Sequence, residues 1–286
     1  MTYLAPAKLN LFLHVVGRRA DGYHLLQSAF TLIDFADTLD ISVRSDGQIR
    51  RTTVVHGVAE ADDLVIRAAT LLQTAAGTKL GCDIGLTKRI PMGGGLGGGS
   101  SDAATTLIAL NTLWETQFTR PQLQVLGLKL GADVPFFIFG ESAFAEGVGE
   151  NLSPLAVPLW WYVVLTPPVG VPTALIFGAP ELTRDTFPLK IADFPANGLL
   201  NALGKTQNDL QPVVLKAFPE VAQYCAALGA VAQGSLFGAR MTGSGSSVFA
   251  AFDSEAKAHD AFSRLNQSLP QYQGFIAKGL AAHPLA

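Results

Sequence analysis

Pro91-Met92-Gly93-Gly94-Gly95-Leu96-Gly97-Gly98-Gly99-Ser100-Ser101-Asp102 constrains this chain more than any other stretch. Six of the nine residues from Pro91 to Gly99 are glycine. Glycine is costly to order and adds nothing to an apolar core. The return on that cost is close approach of backbone N–H groups to an anion. The segment that follows, Ala103 to Leu110, reads as the opening of a helix with Ser100 or Ser101 as its N-cap. A glycine loop that feeds a helix N-terminus aims orphan amides and the positive dipole end at one point, which is the layout of a phosphate site.

The type of phosphate site narrows by exclusion. A P-loop needs Gly-Lys-Ser/Thr at the helix start, whereas Gly99 is followed by Ser100 and the loop contains no lysine. Gly93, Gly95 and Gly98 do match G-x-G-x-x-G, but a run so rich in glycine satisfies most glycine patterns. It also lies mid-chain, with no parallel βαβ unit opening near residue 1. A dinucleotide oxidoreductase would want an acid ending the second parallel strand, and the candidate, Glu115, ends a helix. A flexible linker is disfavoured because a capped helix follows at once.

The chain has 286 residues, 49% of them hydrophobic and 15% charged, with a net charge of −3. That describes a globular protein of two ordinary domains, not a disordered chain. The charge argues against a nucleic-acid or membrane-surface partner. Cys82 and Cys225 have no metal-ligand spacing and read as thiols in a reducing compartment. No signal peptide or bilayer-length apolar run is recognisable, so a cytoplasmic protein is expected.

Along the chain, Ala7 to Val16 alternates as a strand with one buried face. Lys8, Asn10, Phe12 and His14 lie on the other face, and from this stretch alone Lys8 reads as a solvated lysine. An Asp-Gly turn at 21–22 precedes Tyr23 and His24, which by themselves read as packing. Residues 29–34, 38–44 and 48–55 read as strands of a hairpin-rich antiparallel region. A helix capped at Asp62-Asp63 runs to about Ala76, and a strand through Cys82, Ile84 and Leu86 delivers the loop. Helices continue to about Trp114 and from Arg120 to Leu130. Asp133 sits between Gly131-Ala132 and Val134-Pro135, before an apolar strand expected at 136–139. It reads equally as a cleft carboxylate and as a turn-stabilising one. From Trp160 onward the order β-α-α-β-β-α-β suits a split β-α-β, ferredoxin-like sandwich. A second glycine-serine turn, Met241 to Ser247, lies within it.

Three separated segments together resemble the three motifs of the GHMP kinases: Ala5-Pro6-Ala7-Lys8-Leu9-Asn10-Leu11, Pro91 to Ser101, and Met241 to Ser247. Their order across the whole chain is far more specific than any glycine loop. Within the superfamily, Arg19-Ala20-Asp21-Gly22-Tyr23-His24, Leu130-Gly131-Ala132-Asp133-Val134-Pro135 and Ala145 to Glu150 resemble the branch acting on a cytidine-diphosphate alcohol in the non-mevalonate isoprenoid pathway. A mevalonate-type or homoserine-type kinase is the alternative, and Tyr23-His24 discriminates between them.

The resemblance implies an α+β protein with the two-domain GHMP kinase fold. Residues 1–155 would form an N-terminal ATP-binding domain like ribosomal protein S5, and 156–286 a C-terminal ferredoxin-like domain. It implies Lys8 and Asp133 as the catalytic pair, and ATP held by Pro91, Met92, Gly93, Gly94, Gly95, Leu96, Gly97, Gly98, Gly99, Ser100 and Ser101. Lys88 and Asp63 would lie near the adenosine. Asn10, Tyr23, His24, Thr173 and Phe177 would hold the cytidine-diphosphate substrate. Magnesium would bridge the phosphates, with Ser100 or Ser101 offering a hydroxyl and no cluster of protein ligands. A monomer or weak homodimer is expected. The residues support this: an alcohol nucleophile needs a proton acceptor, and a lysine opposite keeps that carboxylate ionised.

Overall fold

The computed structural model describes residues 1–286, the side chain of Ser268 excepted. The chain opens with two long strands, β1 (Thr2–Arg18) and β2 (His24–Arg44), paired antiparallel along nearly their whole length. Gly22, at φ +91°, and Asp21, whose Oδ1 accepts from Tyr23 N, close the turn between them. The stretches read as separate strands at 29–34 and 38–44 are thus one strand. After β3 (Ile49–Arg51) come α1 (Leu64–Ala76), β4 (Gly81–Thr87), α2 (Gly98–Leu113), α3 (Arg120–Leu128), α4 (Val134–Phe139), and the hairpin β5 (Ala143–Glu146) and β6 (Asn151–Pro154). The remainder is β7 (Trp161–Leu165), α5 (Thr173–Gly178), α6 (Leu199–Gly204), α7 (Gln211–Ala217), α8 (Pro219–Val231), β8 (Arg240–Met241), β9 (Val248–Phe252), α9 (Glu255–Ser268) and β10 (Gly274–Leu280).

Two local expectations are corrected. Residues 48–55 do not form a hairpin with β2. Only β3 is strand, and it runs parallel to β4, which lies between β3 and β2. Gly81 permits this, because a Cβ there would sit 2.1 Å from the Gln48 carbonyl oxygen. Residues 136–139 are not a strand but part of helix α4. A short run buried on every side carries no periodicity to separate strand from helix. Pro135 in the first turn and Gly140, at φ +87° after the last, bound it as a helix.

The last four strands lie in the order β10-β7-β9-β8, each antiparallel to its neighbour. With α8 and α9 packed on them this is the ferredoxin-like arrangement. β10 also pairs with β2 at Gly279–Ile33 and Leu280–Leu32, joining the two halves into one sheet. The boundary expected at 155 falls between β6 and β7, and the apolar core crosses it. One buried cluster combines Leu9, Phe12, Ile33 and Phe144 with Trp160, Tyr162, Phe237 and Phe249. Both faces of β1 are therefore covered. Lys8, Asn10 and His14 are buried, contrary to the one-faced strand that their alternation suggested.

Candidate active site

The three motif segments converge around Lys8. β1 and the glycine loop are tied by the Lys8 amide, which donates to the Leu96 carbonyl at 3.0 Å. The loop and the second glycine-serine turn are tied by Ser247 N–H to Gly94 O, also 3.0 Å. That turn reaches β1 through Thr242, whose Oγ1 accepts from Asn10 N at 2.9 Å. The contacts are so close that side chains are excluded. A Cβ on Gly95 (φ +75°) would lie 2.4 Å from the Thr242 carbonyl oxygen. One on Gly97 (φ +73°) would lie 2.8 Å from the Phe137 ring and 3.1 Å from Lys8 Cγ.

The Lys8 side chain runs along this junction. Its Nζ donates to Asn10 Oδ1 at 2.5 Å, lies 5.2 Å from the centre of the Phe30 ring, and stands 3.4 Å from Asp133 Oδ2. Asn10 is held in turn by donating to Ser28 Oγ, which donates to the Phe12 carbonyl. The ammonium is thus fixed and buried. Asp133, with 36% of its side chain exposed, opens to solvent space. Asp133 precedes α4 but makes no side-chain capping bond. The turn-stabilising reading is therefore set aside in favour of a cleft carboxylate.

Both residues line a cleft of about 1100 Å³ bounded by the glycine loop, by Tyr23 and His24, and by α5. The loop enters α2 at Gly98, with Gly97 rather than a serine as N-cap. Ser100 faces the cleft. Ser101 does not: it is fully buried and its hydroxyl donates to the Pro6 carbonyl at 2.6 Å. That corrects its expected place beside the nucleotide, because the first turn of α2 rotates it towards β1.

At the other end of the cleft, Tyr23 is 63% exposed, and the His24 ring lies 4.9 Å from that of Phe177. Thr173 shares a hydrogen bond with Ser244 at 2.8 Å. Asp63 lines the cleft wall, yet its oxygens are engaged: one caps α1 through Val65 N, the other accepts from Arg51 at 2.6 Å. Lys88 is likewise engaged, donating to Asp37 and, at 2.6 Å, to Asp102. Burial pulls the Lys88 pKa down, but the two carboxylates outweigh it and raise it. Burial pushes Asp102 up to about 7, against the pull of the Lys88 charge.

Asp102 lines the cleft, and Asp37 and Arg184 brace residues that line it; motif reading gave none of the three a role. Asp37 accepts from Arg89 N and Ile90 N and so anchors the entry to the loop. Its sequence signal is a carboxylate inside a strand, with its partners some fifty positions away (|i−j| of 52 and 53). Arg184 lies in an irregular stretch with no local pattern at all.

A glycine loop packed against the glycine-serine turn of a split β-α-β half, with a lysine–carboxylate pair at the junction, is the arrangement of a GHMP kinase, and the chain belongs to that family. Residues 63–141 match the GHMP kinases N terminal domain and residues 193–271 the GHMP kinases C terminal model. Within it, the chain belongs with the 4-diphosphocytidyl-2-C-methyl-D-erythritol kinases. It is 58% identical over 282 residues to the enzyme of that name from Thiobacillus denitrificans, covering 98% of this chain and 96% of the relative. Identity to that of Azoarcus sp. is 60% over 281 residues, with 98% and 94% covered. A crystal structure of 4-(cytidine 5'-diphospho)-2C-methyl-D-erythritol kinase superposes with a TM-score of 0.82 at 37% identity, covering 98% and 99% of the two chains. A homoserine kinase from Cytophaga hutchinsonii shares the fold, with a TM-score of 0.75 at 15% identity, covering 99% of this chain and 94% of that one. No helix among the described residues is long and apolar enough to cross a membrane.

Proposed function

We propose that the protein transfers the γ-phosphoryl group of ATP to the 2-hydroxyl of 4-(cytidine 5'-diphospho)-2-C-methyl-D-erythritol, giving the 2-phosphate and ADP. The observation that carries this is the Lys8–Asp133 pair, 3.4 Å apart, at the point where glycine loop and aromatic end of one cleft meet. Phosphoryl transfer is mainly positioning and electrostatics. The Asp133 carboxylate takes the proton of the hydroxyl as its oxygen attacks phosphorus and the bond to the ADP oxygen breaks. Lys8 opposes the negative charge gathering at the attacking oxygen, and its burial keeps it aimed. The amides of residues 93–99 carry the β- and γ-phosphates without a P-loop lysine. Asn10 holds Lys8, while Tyr23, His24, Thr173 and Phe177 form the cytidine end, and Lys88 faces the adenosine.

The donor set suits a magnesium ion held chiefly by phosphate oxygens. Of the two serines that open α2, Ser100 lines the cleft and would offer it a hydroxyl. When bound, the ion would neutralise phosphate charge. The motif residues that line the cleft come from one chain, and a monomer or weak homodimer is taken as the working unit. Two free thiols support a reducing, cytoplasmic location.

A coupled ADP-release assay tests the reading. The cytidylyl substrate should turn over much faster than 2-C-methylerythritol 4-phosphate, because remote contacts to the base help position the hydroxyl. Equal rates on the two would remove the cytidine site and leave a GHMP kinase for another alcohol.

A further inference from the structure

Arg184 lies behind the cleft, in the irregular segment that follows α5, and its guanidinium is engaged on every side. Nε donates to His24 Nε2 at 3.1 Å, one terminal nitrogen donates to the Leu182 carbonyl at 2.9 Å, and the other donates to the carbonyls of Phe177 and Ala179 at 3.0 and 2.6 Å. A guanidinium offers donors only and does not lose its proton in a protein. The ring nitrogen facing it must therefore present a lone pair. In a neutral imidazole the proton then resides on the other nitrogen, Nδ1. Burial lowers the His24 pKa, and the charges of Arg184 and Arg18 lower it further, so the ring stays neutral near pH 7. The same guanidinium holds the backbone of Phe177, whose ring packs 4.9 Å from the imidazole at 35°. One cation thus sets both the tautomer of His24 and the seat of the aromatic beside it.

We propose that Arg184 is a specificity-determining positioning residue: by holding His24 as its Nδ1–H tautomer, it makes the ring a hydrogen-bond donor to the pyrimidine and so selects cytosine over uracil. This rests on the cytidine-site reading given above. Cytosine carries a lone pair at N3, whereas uracil carries N–H there. A donor that meets N3 is satisfied by cytosine and confronted by a second N–H in uracil. A site that leaves such groups unpaired discriminates far more strongly than one that merely loses apolar contact. The rings of Tyr23 and Phe177 cannot supply this choice, because stacking tolerates any base.

The test uses the full-length protein and two substrates, the methylerythritol phosphate linked to cytidine or to uridine. Long-range proton–nitrogen NMR on 15N-histidine-labelled protein should show His24 as the Nδ1–H form; an Nε2–H pattern overturns the proposal. In Arg184→Met, the ratio of kcat/KM for the cytidine over the uridine substrate should fall at least ~10-fold. The loss should lie in KM for the cytidine substrate, with KM for ATP unchanged. Arg184→Lys, which keeps a donor towards Nε2, should restore most of the ratio. An unchanged ratio in a folded Arg184→Met variant overturns the proposal while leaving the kinase reading intact. Failure of the wild-type protein to phosphorylate either substrate while still binding ATP overturns both. If the Met variant does not fold, the wild-type spectrum decides.

Discussion

Asp133 differs from most carboxylates on this chain in having a buried cation 3.4 Å away and open cleft on its other side. An Asn in its place keeps the shape and loses the proton acceptor. Asp133→Asn should therefore fold and bind ATP with unchanged affinity by calorimetry, yet lose ~10²–10⁴-fold in kcat. Near-normal turnover would remove Asp133 from the chemistry. Lys8 illustrates how context rewrites a residue. On an alternating strand it reads as solvated, but the fold closes over it and leaves it buried in the cleft wall.

At the level of elements, the glycine loop and helix α4 depend on each other. Gly97 needs φ +73° and packs against Phe137 of α4. Gly97→Val should weaken ATP binding by at least ~10-fold while cytidine-diphosphate binding persists, because the branched side chain forbids the backbone shape and pushes on α4. Equal nucleotide affinities by calorimetry would count against the loop as phosphate cradle. The C-terminal tail braces the same helices from behind. His283 N–H donates to the Gly140 carbonyl at 2.7 Å, while His283 Nδ1 accepts from Leu285 N, which leaves Nε2–H for Thr105 of α2 at 3.1 Å. Burial, helped by the Arg120 charge, pushes His283 down to about 4. Its unfolded value is about 6.5, so the stability it contributes is complete above that pH and is lost as the pH falls through about 4. Between those limits the Tm of the wild-type protein should fall more steeply than that of His283→Gln. Parallel Tm curves would mean the ring is protonated without penalty.

At the scale of the molecule, the two halves share structure that neither can complete alone. β10 pairs with β7 on one side and β2 on the other, and Phe35 stacks on Phe275 with ring centres 3.7 Å apart. Arg240, buried between the halves, donates to the carbonyls of Leu11 and Leu203, and burial lowers its pKa to about 10. Unfolding should therefore be a single calorimetric transition. A fragment of residues 1–155 should show no cooperative melt, because Leu9, Leu11 and Phe12 would face water. Two resolved transitions, or an independently folding fragment, would refute this.

What the sequence determined by itself was whatever is written in contiguous residues. The glycine run announces an anion site because no other use repays its entropy. The alternation of Cys82, Ile84 and Leu86 gives β4, and Asp63 before an apolar period gives the start of α1, because these signals are local and periodic. The three-segment pattern then carried the family. Tertiary structure decided what depends on distant partners. It made helix, not strand, of Val134–Phe139, since a run buried all round has no period to read. It turned Ser101 away from the cleft towards Pro6, and it bound Lys88 to Asp37 and Asp102. It also chose between the two readings of Asp133, because the deciding partner, Lys8, lies on β1 at the far end of the N-terminal half. Electrostatic and packing partners are set by which surfaces meet, and that information belongs to the folded chain, not to any stretch of it.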